Sequence, residues 1–99
     1  MKLVQFLLPV KSDVKTSREG LERVLAELTD RFGGATASLQ APAEGLWRDR
    51  GETERDRIVI VEVMVREFDT AWWSEYRRSL EGRFGEKEIV VRALPMEKV

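Results

Sequence analysis

Three polar residues lie within predicted strands that are mainly apolar, and these residues are the first candidates for chemistry. They are Gln5 in Leu3 to Leu8, Glu62 in Ile58 to Val65, and Arg92 in Lys87 to Leu94. A carboxylate surrounded by apolar side chains is desolvated, which raises its pKa and lets it act as a general base. Structural ion pairs occupy the same kind of position. We therefore favour a cross-strand or intersubunit salt bridge and keep the general base as the alternative.

A second candidate site combines two polar connections. The segment Lys11 to Ser17 brings lysines and hydroxyls to the start of a predicted helix, where backbone N–H groups favour anions. In the fold predicted below, this segment shares an edge of the domain with the connection that holds Trp47, Arg48 and Arg50. Together these groups predict a site for an anionic ligand. Ordinary helix capping and solvated surface charge are the favoured explanation of the same residues.

The composition excludes most other catalytic sites. The 99 residues include no Cys and no His, which removes thiol nucleophiles, thiolate ligands, and the commonest metal ligand and general base. The carboxylates form no cluster with the spacing of a cation-binding loop. We therefore expect no bound metal and no cofactor.

Nucleic acid and membranes are excluded as partners by charge and pattern. Lys and Arg number 17 against 18 Asp and Glu, so no net positive field attracts phosphates. RNA-recognition modules stack bases on strand aromatics, but the segment Arg57 to Val65 has no aromatic residue, and alternation turns Phe6 inward. No apolar run approaches the roughly 18 residues of a membrane span, and the apolar start is too short for a signal peptide. We expect a cytoplasmic protein.

The glycine pair Gly33-Gly34 invites comparison with a phosphate-binding loop. These glycines follow a predicted helix, whereas phosphate favours the N-terminus of a helix and not the carbonyl oxygens at its C-terminus. We interpret the pair as a left-handed helix cap and a tight turn.

The hydrophobic pattern predicts six elements that position these groups. Strands are predicted over Leu3 to Leu8, Ala35 to Ala41, Ile58 to Val65 and about Lys87 to Leu94. A first helix is capped by Thr16 or Ser17 and ends at Gly33-Gly34, and a second begins at Asp69 or Thr70 with Trp73, Tyr76 and Leu80 facing inward. Trp72 and Trp73 are adjacent on this helix, so only one of them is expected in the core.

The order βαββαβ predicts one domain over residues 1–99 with an α+β fold. Short loops and right-handed crossovers make the ferredoxin-like sandwich its most economical arrangement. This fold has a four-stranded antiparallel sheet in the order 4-1-3-2, with both helices on one face. The third strand is the richest in β-branched residues and is expected to lie inside the sheet.

The sheet face away from the helices is expected to be apolar, because side chains alternate along a strand. Five apolar side chains are predicted there: Leu3, Leu7, Ile58, Ile60 and Met64. Burying such a side chain contributes on the order of 1.5–3 kcal/mol, so a covering partner is favoured over bare exposure. The simplest partner is a second copy that packs sheet to sheet.

Two resemblances bear on function. The segments Phe32-Gly33-Gly34-Ala35-Thr36 and Gly45-Leu46-Trp47-Arg48, with the later Trp72-Trp73, resemble a family of small, uncharacterised bacterial proteins with an FGG-x-T pattern and a later G-x-W. That resemblance implies a compact α+β domain and carries no catalytic residue. The element order also resembles cofactor-independent monooxygenases and isomerases of the dimeric α+β barrel type, which implies a cavity between two sheets.

These observations favour a non-enzymatic homodimeric module that binds a protein partner or a small ligand. The alternative is a small cofactor-independent cavity enzyme of the dimeric α+β barrel type, related to monooxygenases or isomerases. The predicted ligand-binding residues are Gln5, Trp47, Arg48, Glu62 and Arg92. An enclosed cavity that exposes Glu62 or Arg92 favours ligand binding or chemistry, whereas a dry, filled interface favours assembly.

Overall fold

The computed structural model describes residues 1–11, 15–39 and 56–99 of the chain. Six elements follow one another along it: β1 (Lys2–Lys11), α1 (Lys15–Phe32), β2 (Thr36–Leu39), β3 (Asp56–Val65), α2 (Thr70–Phe84) and β4 (Val91–Pro95). The strands form one antiparallel sheet in the order β2-β3-β1-β4. This is the predicted order read from the opposite edge, so the α+β fold class and the inner position of β3 are confirmed.

The core lies between the sheet and the two helices. Alternate residues of β1 and β3 supply its sheet side, and one stripe of each helix supplies the other side. The buried apolar residues of the described segments are Val4, Phe6, Leu8, Val24, Leu28, Val59, Val61, Val63, Val65, Trp73, Tyr76, Leu80 and Ile89. Both helices therefore cover the same face of the sheet, as predicted.

The first strand is longer than predicted, because Pro9 does not end it. Pro9 pairs with Ile58 inside the strand. The Leu7 N–H donates to the Val90 carbonyl at 3.2 Å, and the nitrogen of Pro9, two residues later, faces the same side of β1. Pairing with β4 stops at Phe6, so the missing proline N–H removes no bond from the ladder.

The last strand begins later than predicted, at Val91 instead of about Lys87. The backbone N–H of Ile89 donates to a carboxylate oxygen of Glu81 at 3.0 Å, and the Ile89 side chain is buried in the core. The chain that leaves α2 is therefore tied to that helix before it joins the sheet. A side-chain contact of this kind leaves no trace in the alternation pattern from which the strand was predicted.

The helix ends are partly as predicted. Asp69 caps α2, since its side chain accepts a hydrogen bond from the Trp72 N–H at 3.1 Å. Gly33 adopts the predicted left-handed conformation (φ 87°), and its N–H donates to the Thr29 carbonyl at 2.8 Å. This is the conformation that glycine adopts without steric cost.

The predicted cap of the first helix is wrong. α1 begins at Lys15, which places Thr16 and Ser17 inside its first turn. Ser12 and Asp13 precede this helix in the sequence and are also capping residue types. The residue directly before Lys15 is Val14, which is not a capping type, so residue type alone does not locate the start of this helix.

The adjacent tryptophans divide as predicted. Trp73 is 2% exposed and enters the core, where it stacks on Phe32 with ring centroids 5.3 Å apart. Trp72 covers the helix edge and stacks on Tyr76 at 5.0 Å. The guanidinium of Arg31 lies 4.3 Å from the Trp72 ring centroid, in cation–π geometry. Both rings thus have packing roles.

Leu80 provides the first test of this architecture. The side chain is fully buried between α2 and the sheet, so Leu80→Ala should lower the free energy of unfolding by about 2–4 kcal/mol. Urea titration of the variant measures this loss. The matched control is Ser79→Ala at the neighbouring exposed position, which should change stability by less than about 0.5 kcal/mol. A loss below that figure for Leu80→Ala would contradict the packing described here.

Candidate functional site

The candidate site is the sheet face opposite the helices, called the open face below. It is formed by alternate residues of the four strands and by Val90, which precedes β4. Its members are Leu3, Gln5, Leu7, Pro9, Thr36, Ser38, Ile58, Ile60, Glu62, Met64, Val90, Arg92 and Leu94. The five apolar residues predicted for this face, and the three polar ones, are all among them.

The three polar residues form one row across the sheet. The register places Gln5 opposite Glu62 of β3 on one side and opposite Arg92 of β4 on the other. The Gln5 Nε2 donates to Glu62 Oε2 at 2.7 Å, and Arg92 Nε donates to Gln5 Oε1 at 2.9 Å. We call these three residues the polar row. Their predicted proximity is therefore observed.

The Gln5 amide has one orientation in this row. Its oxygen accepts from a cation and its nitrogen donates to an anion, and exchanging the two would lose both bonds. Glu62 and Arg92 lie two strand spacings apart, about 10 Å between Cα atoms. Within the chain, a hydrogen-bonded bridge through Gln5 thus takes the place of a direct cross-strand salt bridge, and the intersubunit salt bridge, which we also favoured, stays a prediction.

Each charged residue of the polar row has polar atoms without a partner in the described segments. Within the described segments, Arg92 uses only Nε, and its two terminal nitrogens have no partner. Glu62 uses Oε2, and its Oε1 has no partner among the described residues. The row therefore has one donor end and one acceptor end, on opposite sides of Gln5.

Apolar side chains flank the polar row on both sides. Leu3, Met64 and Leu94 form the next row towards one end of the strands. Leu7, Ile60 and Val90 form the next row towards the other end. Three of these six side chains are well exposed: Met64 is 48%, Val90 49% and Leu94 39% accessible to solvent. The open face thus carries a charge-bearing strip between two apolar strips.

Gln5 orients both charged side chains of the polar row. It donates to the Glu62 carboxylate and accepts from the Arg92 guanidinium, so neither charged group has apolar neighbours alone. Oriented charges of this kind can pair with groups of opposite sign. The role of Glu62 as a general base stays a prediction.

The second predicted site lies largely outside the described residues. Trp47, Arg48 and Arg50 fall in the segment 40–55, and residues 12–14 of the Lys11 to Ser17 segment are also outside the description. The composite site for an anionic ligand therefore stays a prediction.

One charged cluster was not found by sequence reasoning. Glu27 of α1 accepts two hydrogen bonds from Arg83 of α2, at 2.5 and 3.0 Å, and one from the Tyr76 hydroxyl at 3.0 Å. The Arg83 guanidinium lowers the pKa of Glu27 below its ordinary value. Burial, followed by the hydrogen bond to Glu27, raises the pKa of Tyr76. The cluster joins the two helices, and only their packing brings these distant residues together.

The described part of the chain contains neither a metal-binding cluster nor a membrane-spanning helix. Its His, Cys, Asp and Glu residues form no group suited to holding a metal ion. None of the described helices has the length and apolarity required to cross a membrane. Phe6 is buried against the helices and is not available for stacking on a base, as expected from its position.

No protein-family model, curated protein or solved structure matches this chain. The resemblance based on the FGG-x-T and G-x-W patterns stays a prediction.

The Glu27 cluster predicts the pH dependence of stability. Because the pKa of Glu27 is lowered in the folded state, its stabilisation is present above the ordinary value of 4.5 and is lost as pH falls through the folded-state pKa. Glu27→Gln should therefore be less stable than the natural protein at pH 7, and the difference should shrink below about pH 4.5. Urea titrations at pH 7 and pH 3 measure both effects.

The matched control for this experiment is Glu22→Gln. Glu22 is an exposed residue on the same helix, so the substitution should leave the stability difference between the two pH values close to that of the natural protein. An equal loss at pH 7 and pH 3 for Glu27→Gln would contradict the role assigned to its charge.

Proposed function

We propose that the protein is a non-catalytic homodimeric binding module, in which the open face of one copy packs against that of a second. The observation that carries this proposal is the exposure of Met64, Val90 and Leu94 on one sheet face, while a complete core occupies the other face. Each apolar side chain that a partner buries contributes on the order of 1.5–3 kcal/mol before ordering costs. A contiguous apolar surface on a small domain is typical of an interaction site.

A second copy fits this surface better than a strongly charged partner. The open face carries one cation and one anion, Arg92 and Glu62, so its own charge sums to zero, and the rest is mainly apolar. A face with both signs of charge is complementary to itself, whereas a highly acidic or basic partner would meet a repelling group. Sheets in such packings lie about 10 Å apart, with their inner side chains in contact.

The polar row gives this dimer a role in binding and not in a reaction. Gln5 holds both charged groups in fixed positions, which supports recognition of a polar partner group. A small ligand between the sheets would have to displace or bridge this row. Native mass spectrometry of the purified protein distinguishes the two forms of binding. The mass of two chains alone indicates assembly at this face, and an added small mass indicates a ligand between the sheets.

Charge introduced into the open face tests the proposal. Ile60→Glu and Met64→Glu each place an ion inside the proposed contact, where an unpaired charge is costly. Met64 is 48% exposed in one copy, so Met64→Glu should fold normally and still lose dimerisation. Light scattering at micromolar concentration should give twice the chain mass of 11.4 kDa for the natural protein and the single mass for Met64→Glu.

The matched control is Ser79→Glu, which adds the same charge at an exposed position of α2 on the helix side. This variant should remain dimeric. A natural protein that scatters as a monomer, or a dimer that survives both Ile60→Glu and Met64→Glu, would show that the open face is not the assembly surface.

A further inference from the structure

We infer that the two copies are related by a two-fold axis that lies midway between their open faces, parallel to β1 and above Gln5, so that Arg92 of each copy pairs with Glu62 of the partner subunit. This inference rests on the proposed dimer and specifies how its two open faces meet. It follows from the symmetry of the polar row and of the apolar rows beside it.

Gln5 lies at the centre of the polar row, between the two charged residues. Arg92 lies one strand to one side of β1 and Glu62 one strand to the other side. When two sheets face each other, a two-fold axis along β1 exchanges these two sides. Each cation then lies opposite an anion, and the complex contains two such pairs, one on each side of the axis.

Both charged residues of the polar row also have polar atoms available for a partner. The terminal nitrogens of Arg92 and the Oε1 of Glu62 have no partner in the described part of the chain. Facing sheets are about 10 Å apart, and an arginine and a glutamate side chain together span this gap. The pairing across the axis thus uses the terminal nitrogens of Arg92 and the Oε1 of Glu62, which have no partner within the row.

The same rotation also brings apolar residues of the two copies opposite each other. Met64 and Leu94 flank Leu3 in one row, so the axis places Met64 opposite Leu94 of the partner subunit. In the other flanking row, Ile60 lies opposite Val90 of the partner subunit. The three well-exposed apolar side chains of the open face are all covered by this one operation.

An axis between the open faces that crosses the strands at right angles above Gln5 gives the opposite result. It leaves each residue of the polar row on its own side, so Arg92 faces Arg92 of the partner subunit and Glu62 faces the partner subunit's Glu62. Like charges in a partly desolvated contact repel strongly. The charge pattern therefore selects the axis along β1.

The test uses two charge-reversal variants. Each should dimerise weakly when it is alone, and the two should form a dimer when they are mixed. In Arg92→Glu, two glutamates meet at each pair, and in Glu62→Arg two arginines meet. Each variant alone should dissociate at least tenfold more readily than the natural protein. A mixture restores opposite charges at both pairs, so an equimolar mixture should form heterodimers with little homodimer. Light scattering gives the mass, and an affinity tag on one variant identifies the heterodimer.

The matched control uses Arg18→Glu and Glu22→Arg, which make the same charge changes at exposed positions of α1. These variants should dimerise alone like the natural protein and mix statistically. Circular dichroism verifies that all variants are folded. The double variant Arg92→Glu/Glu62→Arg restores the opposed charges within one sequence and should be a homodimer even where a single variant folds poorly.

The outcomes separate this inference from the proposed function. A monomeric natural protein overturns both. A dimer in which the single reversals have no effect, or in which the mixture and the double variant both stay monomeric, overturns the axis and leaves the open face as the assembly surface. Heterodimers limited to the Arg92→Glu and Glu62→Arg mixture show that the polar row lies in the contact, whichever way the axis runs.

The neutral variants Arg92→Gln and Glu62→Gln distinguish the axes. Each should dimerise more weakly than the natural protein if the axis runs along β1, because an attractive pair is lost, and at least as well if the axis is perpendicular to the strands, because a contact between like charges is removed. The second result would overturn the axis along β1.

Discussion

The pairing of β1 with β3 is the constraint on which the rest of the structure depends. Both strands are apolar on both faces, and their ten-residue register is continuous from Lys2 opposite Val65 to Lys11 opposite Asp56. The apolar side chains on each face of this strand pair must be shielded from water by another layer. The helices supply one, with Trp73 and Leu80 buried against the sheet. The other face is the open face, where the inner strands contribute Leu3, Leu7, Ile60 and Met64 and the edge strand β4 adds Leu94.

The same register explains why three isolated polar residues act together. Gln5, Glu62 and Arg92 are far apart in the chain, and each is a polar residue between apolar residues on the open face of its strand. A shift of one residue in either pairing would turn one of them into the core, so their alignment in one row depends on both registers. The row also strengthens the register, because a slipped strand would separate the charges from the amide that links them.

Much of this arrangement is predictable from the sequence, because it depends on patterns of short period. Alternation along the strands predicts the open face, and the helical stripe predicts Trp73 and Leu80 in the core. The sequence does not predict features that depend on contacts between distant elements. The bond from Ile89 to Glu81 delays β4, and the ion pair of Arg83 with Glu27 depends on how the two helices meet. Pro9 stays in its strand because β4 ends its pairing earlier.

Gln5 is what allows an apolar face to carry two opposite charges. Its amide offers one acceptor and one donor, so it joins Arg92 to Glu62 without adding charge. A leucine at this position would leave both ions without a link, and a glutamate would satisfy the arginine while repelling the other carboxylate. In the proposed dimer, the row would cost some of the stability that an entirely apolar strip would provide, since charged groups lose hydration on burial. In return, the row would restrict the orientation in which two faces pack. An apolar strip permits many packings, whereas a strip with a cation on one side and an anion on the other favours packings in which unlike charges face each other.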